Sequence, residues 1–455
     1  MGSGQIEVTK RLALPLAFAF TVMADPVSSV AYAIEAALRS LHGDLRSLVP
    51  TMAAVIAIIA VISATYHELI KRFPNGGGGP EAIARAFGEG WAFIPLGALL
   101  VDFTLTVAVS CAAGASALIA YLPELEEFRT PIGLALVVLV AGGVLLGQAG
   151  RVVFATATVA FIALSVCVLV SGLIGSPAPG PAAVPAVVGE TPLLAAAGLG
   201  PTLLAIPLGM ALATGVESPS NAIAQLPQLD DRGRRRVGRL TLWLMVGIVG
   251  TLTIGFSMLA VHLGTDLPPA DSTLIAEVAR HSTGGGWLFV AFQASSALLL
   301  LAAAASSYLA GSGVLKALAT IGKDGGEGLV PSRFRRLNRF LIPEWGVALV
   351  LVAAAMLVAA SGREQRLVGF YAVAVFASFL AATVACARLS YRDGRRTALV
   401  LNIVGSVLVA IVLAINATRL DGVIALVASA AVAAYLWRVW VLRGRPRGVA
   451  GAGAQ

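Results

Sequence analysis

The sequence predicts an all-α protein that crosses a membrane twelve times, and three observations support this. First, 58% of the 455 residues are hydrophobic, only 12% are charged, and the mean hydropathy is +0.88. A soluble domain averages about 25% charged residues, so a soluble globular fold is excluded. Second, apolar runs of 18 residues or more recur along the chain, as in polytopic membrane proteins. Third, two of these runs are interrupted by an acid, a proline and serines.

The apolar runs define the individual spans. The first run is too long for a signal peptide and is interpreted as a membrane helix. The split between the fourth and fifth spans, at Gly147–Arg151, is the least distinct boundary, together with those of the ninth span. The twelve spans are expected near residues 12–38, 48–70, 91–121, 131–149, 152–174, 194–225, 237–263, 287–315, 342–360, 366–389, 396–416 and 421–442.

The distribution of basic residues predicts the orientation. With these spans, 25 of the 32 Lys and Arg residues lie on the side of the N-terminus. Cytoplasmic loops carry an excess of Lys and Arg, so both termini are expected in the cytoplasm of a bacterial-type cell, with the protein in its plasma membrane. The same asymmetry explains the net charge of +8 without a nucleic acid partner.

The first interruption lies in the middle of the first span. Asp25 is a carboxylate near the expected bilayer centre, where a charge costs roughly 2.5–3.5 kcal/mol. Pro26 lacks an N–H and its ring clashes with the carbonyl four residues earlier. The hydroxyls of Ser28 and Ser29 can bond to the freed backbone groups or to a ligand. The pattern predicts an unwound helix that lines a polar cavity, which is how transporters build their sites.

The sixth span repeats these ingredients with Thr214, Gly215, Glu217 and Pro219. Two corresponding interrupted spans indicate an inverted repeat with its site at the breaks. Five spans per repeat give the LeuT-type five-plus-five scheme, with helices 1 and 6 discontinuous and two helices appended. The expected parts are an N-terminus (1–11), a first repeat (12–174), an external linker (175–193), a second repeat (194–389), spans eleven and twelve (390–442) and a tail (443–455).

The third span offers a further polar face. Thr106 and Ser110 are four residues apart and share one side of a helix, and Phe103 precedes them on that side. Asp102 is interpreted either as a structural partner of an Arg or Ser or as part of the transport site. Glu35, near the outer end of the first span, is expected to be solvated, although it would also suit the guard of an external vestibule.

Residues 25–32, 102–110 and 214–221 together resemble the first, third and sixth helix motifs of the amino acid–polyamine–organocation (APC) superfamily. The nearest likeness is to the KUP/HAK/KT potassium family, in particular its KimA-type branch. Two departures are that Phe103 replaces a Tyr that supplies an oxygen in that branch and that Pro26 directly follows the acid. A cytoplasmic C-terminal domain like that of the branch is not expected here, nor is control by cyclic di-AMP through it.

The resemblance implies a potassium site and a proton-coupled symport mechanism. Glu217, and also Asp25, would exchange the coupled proton. The bound potassium ion would be the only metal, and no organic cofactor is expected. The resemblance places six residues at this site, and Ser28, Ser29 and Phe103 of the same motifs are added to them. The residues expected to bind the substrate are therefore Asp25, Ser28, Ser29, Tyr32, Phe103, Thr106, Ser110, Thr214 and Glu217.

The chemistry leaves two substrates open. Hard oxygen ligands and an anionic Asp25 favour a dehydrated monovalent cation over a carboxylate. Amino acid permeases of the superfamily usually have a glycine-rich break in span one, whose N–H groups bind the substrate carboxylate. However, Phe103 makes the site more apolar, and a protonated Asp25 would tolerate an amino acid or an organic amine. The alternative prediction is therefore a proton-coupled amino acid or amine permease.

No enzymatic function is predicted, because the sequence contains no His-Glu-x-x-His, Gly-x-Ser-x-Gly or Walker motif. The expected partners are the lipid bilayer, the small solute and a proton, and a homodimer is left open. Transport is expected to use alternating access, in which spans one, two, six and seven move against spans three, four, eight and nine.

Overall fold

The structure is a computed structural model that describes residues 15–147, 150–175, 200–226, 228–321 and 328–454. The predicted N-terminal segment 1–11, nearly all of the predicted linker 175–193 and residues 148–149 of the fourth–fifth boundary lie outside these ranges. Within them, every long element is a helix, and an isolated bridge pairs Leu337 with Pro343. The prediction of an all-α polytopic membrane protein is confirmed.

In the described part of the chain, ten helices are long and apolar enough to cross a membrane. They correspond to the predicted spans two to five and seven to twelve, including the ninth. In chain order they are α4 (Leu45–Arg72), α6 (Phe93–Ile119), α7 (Arg129–Leu145), α8 (Arg151–Ile174), α11 (Asp231–Leu263), α13 (Trp287–Thr320), α14 (Glu344–Ser361), α15 (Glu364–Arg392), α16 (Arg396–Asn416) and α17 (Leu420–Leu442).

Two further apolar segments, the predicted first and sixth spans, are each divided into short helices. The first contains α1 (15–22), α2 (Ala24–Ser28) and α3 (Val30–Ser40). The sixth contains α9 (Pro201–Gly209), the 3-10 turn Met210–Ala213, α10 (Ser218–Ala222) and the 3-10 turn Ile223–Gln225. Two shorter helices lie between spans: α5 (Gly78–Phe87) follows span two, and α12 (Leu274–Thr283) follows span seven.

Local sequence signals explain where several helices begin and end. Asp44 is the N-cap of α4: its carboxylate accepts hydrogen bonds from the backbone N–H of Arg46 at 3.0 Å and from the Ser47 hydroxyl at 2.6 Å. The Ser47 bond in particular holds the pKa of Asp44 below its ordinary value. Asp230 caps α11 in the same way, and Gly264, with φ of +63°, ends it.

The core lies around the third and tenth spans. In the most apolar stretch of each helix, 72% of the residues are buried in α6 and 76% in α15, against 22% in both α16 and α17. Span three packs most extensively on spans eight and ten, and span two packs on span seven. This arrangement places the polar residues of span three at the centre of the bundle. The division of the chain into two inverted repeats stays a prediction.

Candidate functional site

The interruption in span one is mild. Turns at Met23 and Ser29 separate the three helices, yet both residues keep right-handed helical dihedral angles. Pro26 lies in the first turn of α2, where an N–H needs no helical partner. The Ser28 hydroxyl donates to the carbonyl of Asp25 at 2.7 Å, and the Ser29 hydroxyl donates to the carbonyl of Pro26 at 2.6 Å. Of the two roles considered for these serines, the structure shows bonding to the backbone.

The interruption in span six is a true break. Thr214 is extended, with φ of −53° and ψ of 138°, and Gly215 has φ of +72°, in the left-handed region. The helix restarts at Ser218, with Pro219 in its first turn. The hydroxyls of Thr214 and Ser220 donate to the carbonyls of Ala211 and Glu217 at 2.6 and 2.8 Å. Hydroxyl groups therefore satisfy backbone carbonyls at both interruptions.

The two interruptions meet in the middle of the bundle. A Cβ atom built on Gly215 would lie 2.7 Å from Cδ of Pro26 and 3.2 Å from Oδ2 of Asp25. Only a residue without a side chain fits this approach, and the positive φ favours glycine independently. The contact brings together two acids, Asp25 and Glu217, that are 192 residues apart in the chain.

A third acid joins them from span three. Asp102 is buried among the helices within electrostatic reach of both Glu217 and Asp25. Oδ1 of Asp25, Oδ1 of Asp102 and Oε2 of Glu217 are buried and have no hydrogen-bond partner in the described residues. None of the ion pairs formed within those residues involves these three acids. Buried charges need a partner, so this cluster suits protons or a cationic solute.

Hydroxyl groups surround the acids. The Thr106 hydroxyl lies 3.1 Å from that of Tyr371 on α15, and Tyr371 also interacts with Asp102. Tyr32 is buried beside Thr214, Asp25 and Asp102. The Ser110 hydroxyl is fully buried and has no partner among the described residues. Of these neutral oxygens, those of Tyr32 and Tyr371 are next to the acids and can complete the coordination of a cation that the carboxylates attract.

A cavity of about 400 Å³ leads to the cluster. Asp25, Phe103 and Glu217 line it, and Ser307 contributes from span eight. It is also lined by Gly150, just before span five, by Gln225, at the end of span six, and by Gly453, after span twelve. With spans that alternate in direction, all three positions are on the side of the bundle on which span one begins. The cavity therefore opens towards the face of the bundle on which span one begins.

The opposite face is closed by a buried polar network. Glu35 is 2% exposed, so the expectation that it is solvated was wrong. Its Oε1 accepts from Nε of Arg39 at 2.8 Å and from Nε2 of Gln365 at 2.7 Å. Its Oε2 accepts from the backbone N–H of Leu274 at 3.0 Å. This burial could not be predicted from the sequence, because α12, which covers Glu35, begins more than 230 residues later.

The network continues through a second buried acid, Glu364, which is 1% exposed. Its Oε1 accepts from the Gln365 amide at 2.9 Å, and its Oε2 accepts from the Ser116 hydroxyl at 2.7 Å. Arg129 bonds to Ser116 and to the carbonyl of Ala270. Spans one, three, four and ten and the loop before α12 are thus joined on this face.

Three of the predicted residues, Asp25, Phe103 and Glu217, line the cavity. The others are buried but are not in its lining: Ser28, Ser29, Tyr32, Thr106, Ser110 and Thr214. Sequence reasoning missed Tyr371 and Ser307. A tyrosine in an otherwise apolar stretch of span ten was the available signal for Tyr371, and the pair Ser306–Ser307 was the signal in span eight.

A bundle of membrane helices, in which two acid-bearing, interrupted spans meet at a buried cavity, defines a membrane transporter. The sequence matches the family described as "Amino acid permease" over residues 16–440. The chain therefore belongs to this family, within the APC superfamily that its motifs resemble.

One characterised relative is the potassium transporter KimA of Bacillus subtilis. It is 28% identical to this chain over 390 residues, which is 83% of this chain and 60% of the relative. The chain thus covers less than two thirds of that protein's length.

Proposed function

We propose that the protein takes up a monovalent cation, with potassium as the first candidate, together with a proton by alternating access at the plasma membrane. The observation that carries the proposal is the cluster of Asp25, Asp102 and Glu217, three buried acids without a basic partner in the described residues. Potassium transport by a relative with 28% identity supports the choice of ion.

The two faces of the bundle support alternating access. One face is closed by the network around Glu35 and Glu364, and the cavity opens towards the other. Since the positive-inside rule places residue 21 near the cytoplasm, this arrangement is an inward-facing state. In the opposite state, the hydrogen bonds of Glu35 to Gln365 and Leu274 would have to break.

A second candidate function is the uptake of an amino acid or organic amine. The cavity of about 400 Å³ is much larger than an alkali ion, and Phe103 adds an apolar wall to it. An amine would be attracted by the same three acids. A free amino acid would also need donors for its carboxylate, and none of the three acids can supply them while ionised.

Growth of a potassium-uptake-deficient bacterial strain at micromolar potassium separates these functions. Potassium uptake predicts rescue by the wild type, and no accumulation of radiolabelled amino acids or amines by the same cells. Accumulation of an amino acid or amine without rescue would overturn the cation proposal. An Asp25→Asn variant that reaches the membrane but does not rescue growth is the matched control.

The role of Glu217 in coupling has its own test. Glu217→Gln keeps the size of the side chain but removes its exchangeable proton. We expect this variant to lose uptake driven by a pH gradient in proteoliposomes while it retains part of the cation exchange at equal pH. If it still accumulates the cation against a gradient, Glu217 does not carry the coupled proton.

A further inference from the structure

The chain turns back into the bundle after its twelfth span. Positive φ angles at Gly444, Arg445 and Gly448 reverse its direction, and Nε1 of Trp440 donates to the carbonyl of Pro446 at 2.8 Å. The segment Val449–Ala454, called the return segment below, then forms a 3-10 helix. Val449, Ala450 and Ala452 in it are at most 6% exposed. A stretch of small residues is therefore packed against the protein rather than extended into solvent.

Specific contacts hold the return segment. The backbone N–H of Gly448 lies 3.1 Å from both carboxylate oxygens of Glu89. At the other end, a Cβ atom on Gly453 would be 2.8 Å from Cγ of Pro80 and 3.5 Å from the carbonyl oxygen of Gly77. The segment thus lies close against α5 and the glycine-rich loop that precedes it.

This position is the mouth of the transport cavity. Gly453 lines the cavity together with Asp25, Glu217 and Asn221. The return segment also contacts both α10, in the second half of span six, and α13, which is span eight. It therefore bridges a span expected to move and a span expected to stay fixed during alternating access.

The chemistry of the contact suits reversible docking. The sequence VAGAGA has no charged side chain, and Val449 is its one sizeable apolar group. Burial of one valine side chain stabilises the docked segment only modestly, so the docking can be reversed during a transport cycle. In contrast, the opposite face of the cavity is closed by charged side chains.

We propose that the return segment is a lid over the inner mouth of the cavity. Docked as it is here, it covers the mouth of the inward-facing cavity, and it undocks when the solute exchanges with the cytoplasm. The lid rests on the proposed function only in taking this cavity as the transport route. Its docking and undocking can be measured without any substrate.

The test measures access to the cavity in the full chain. Ser218, which lines the cavity, becomes a single labelling site as Ser218→Cys after Cys111, Cys167 and Cys386 are replaced by alanine. Val449→Asp places a charge in a buried position and should undock the lid. Gly451→Asp is the matched control, since Gly451 is exposed and a Cβ there would meet no atom within 4 Å.

In nanodiscs, a polar thiol reagent should label the thiol introduced by Ser218→Cys several-fold faster in Val449→Asp than in Gly451→Asp or the unaltered segment. Glu89→Ala, which removes the acceptor for Gly448, should give a smaller increase. Glu81→Ala, on the same side but paired with Arg85, should give none. Equal labelling rates in all four folded variants, as judged by elution and thermal unfolding, would overturn the lid. If the protein does not transport potassium, the labelling rates still test the lid, because they report only access to the cavity.

Discussion

Spans one and six carry the same ingredients but have different backbones. Each has an acid, a following proline and hydroxyl groups that bond to nearby carbonyls. Nevertheless, span one stays helical through Met23 and Ser29, whereas span six opens at Thr214 and Gly215. The acid and the proline are therefore not sufficient to unwind a membrane helix.

The glycine accounts for the difference. In span six, Gly215 precedes the acid and adopts a left-handed conformation that other residues avoid. In span one, the equivalent stretch before Asp25 contains Met23 and Ala24, which favour a helix. Both prolines lie in the first turn of a restarting helix, where they are tolerated. One rigid and one open interruption then face each other at Gly215 and Pro26.

The largest effect is expected for Gly215→Ala. A left-handed alanine costs roughly 1–2 kcal/mol, and its Cβ would clash with the rigid ring of Pro26 at 2.7 Å. With overpacking included, the loss of stability should be about 2–5 kcal/mol. Thermal unfolding in detergent measures this loss of stability, and cation uptake is measured on the same variant.

Gly142→Ala is the matched control for this substitution. Gly142 lies inside α7, and a Cβ there meets no atom within 4 Å. Helix propensity predicts an unchanged or slightly higher stability, by up to about 1 kcal/mol. Similar unfolding temperatures for the two variants would show that the contact between the interruptions is not needed.

The next largest loss of stability is expected when hydroxyl groups at the two interruptions are removed. Ser29→Ala and Ser220→Ala each remove the donor to a backbone carbonyl and should cost about 0.5–1.5 kcal/mol of unfolding free energy. Ser110→Ala removes a hydroxyl that has no partner in the described residues, so it should leave the stability unchanged but weaken potassium binding. The reverse ranking would assign the ligand role to Ser29 instead of Ser110.

The smallest loss of stability is expected when the two prolines are replaced. Pro26→Ala and Pro219→Ala should each lower stability by about 0.4–1 kcal/mol, mainly because the unfolded chain gains conformational freedom. Unfolding curves of the two variants should be nearly alike. A loss several times larger for Pro26→Ala alone would show that its ring, rather than Gly215, fixes the geometry of span one.

Local patterns made the spans and both interruptions predictable from the sequence. Hydropathy located the helices, and the repeated acid, proline and serine identified spans one and six. Span one was expected to unwind at its acid and proline but stays helical, and the available signal was that Met23 and Ala24, before Asp25, favour a helix. The sequence could not place Tyr371 beside Thr106 or bury Glu35 under Leu274, because these contacts join residues 265 and 239 positions apart.

The central claim is that Asp25, Asp102 and Glu217 form a cation site. The most direct test is the thermal stability of the purified protein in potassium chloride and in choline chloride at equal ionic strength. We predict saturable stabilisation of the wild type by potassium, and its loss in Asp25→Asn and Asp102→Asn. Absence of a potassium effect, with stabilisation by an amino acid or organic amine instead, would contradict the account.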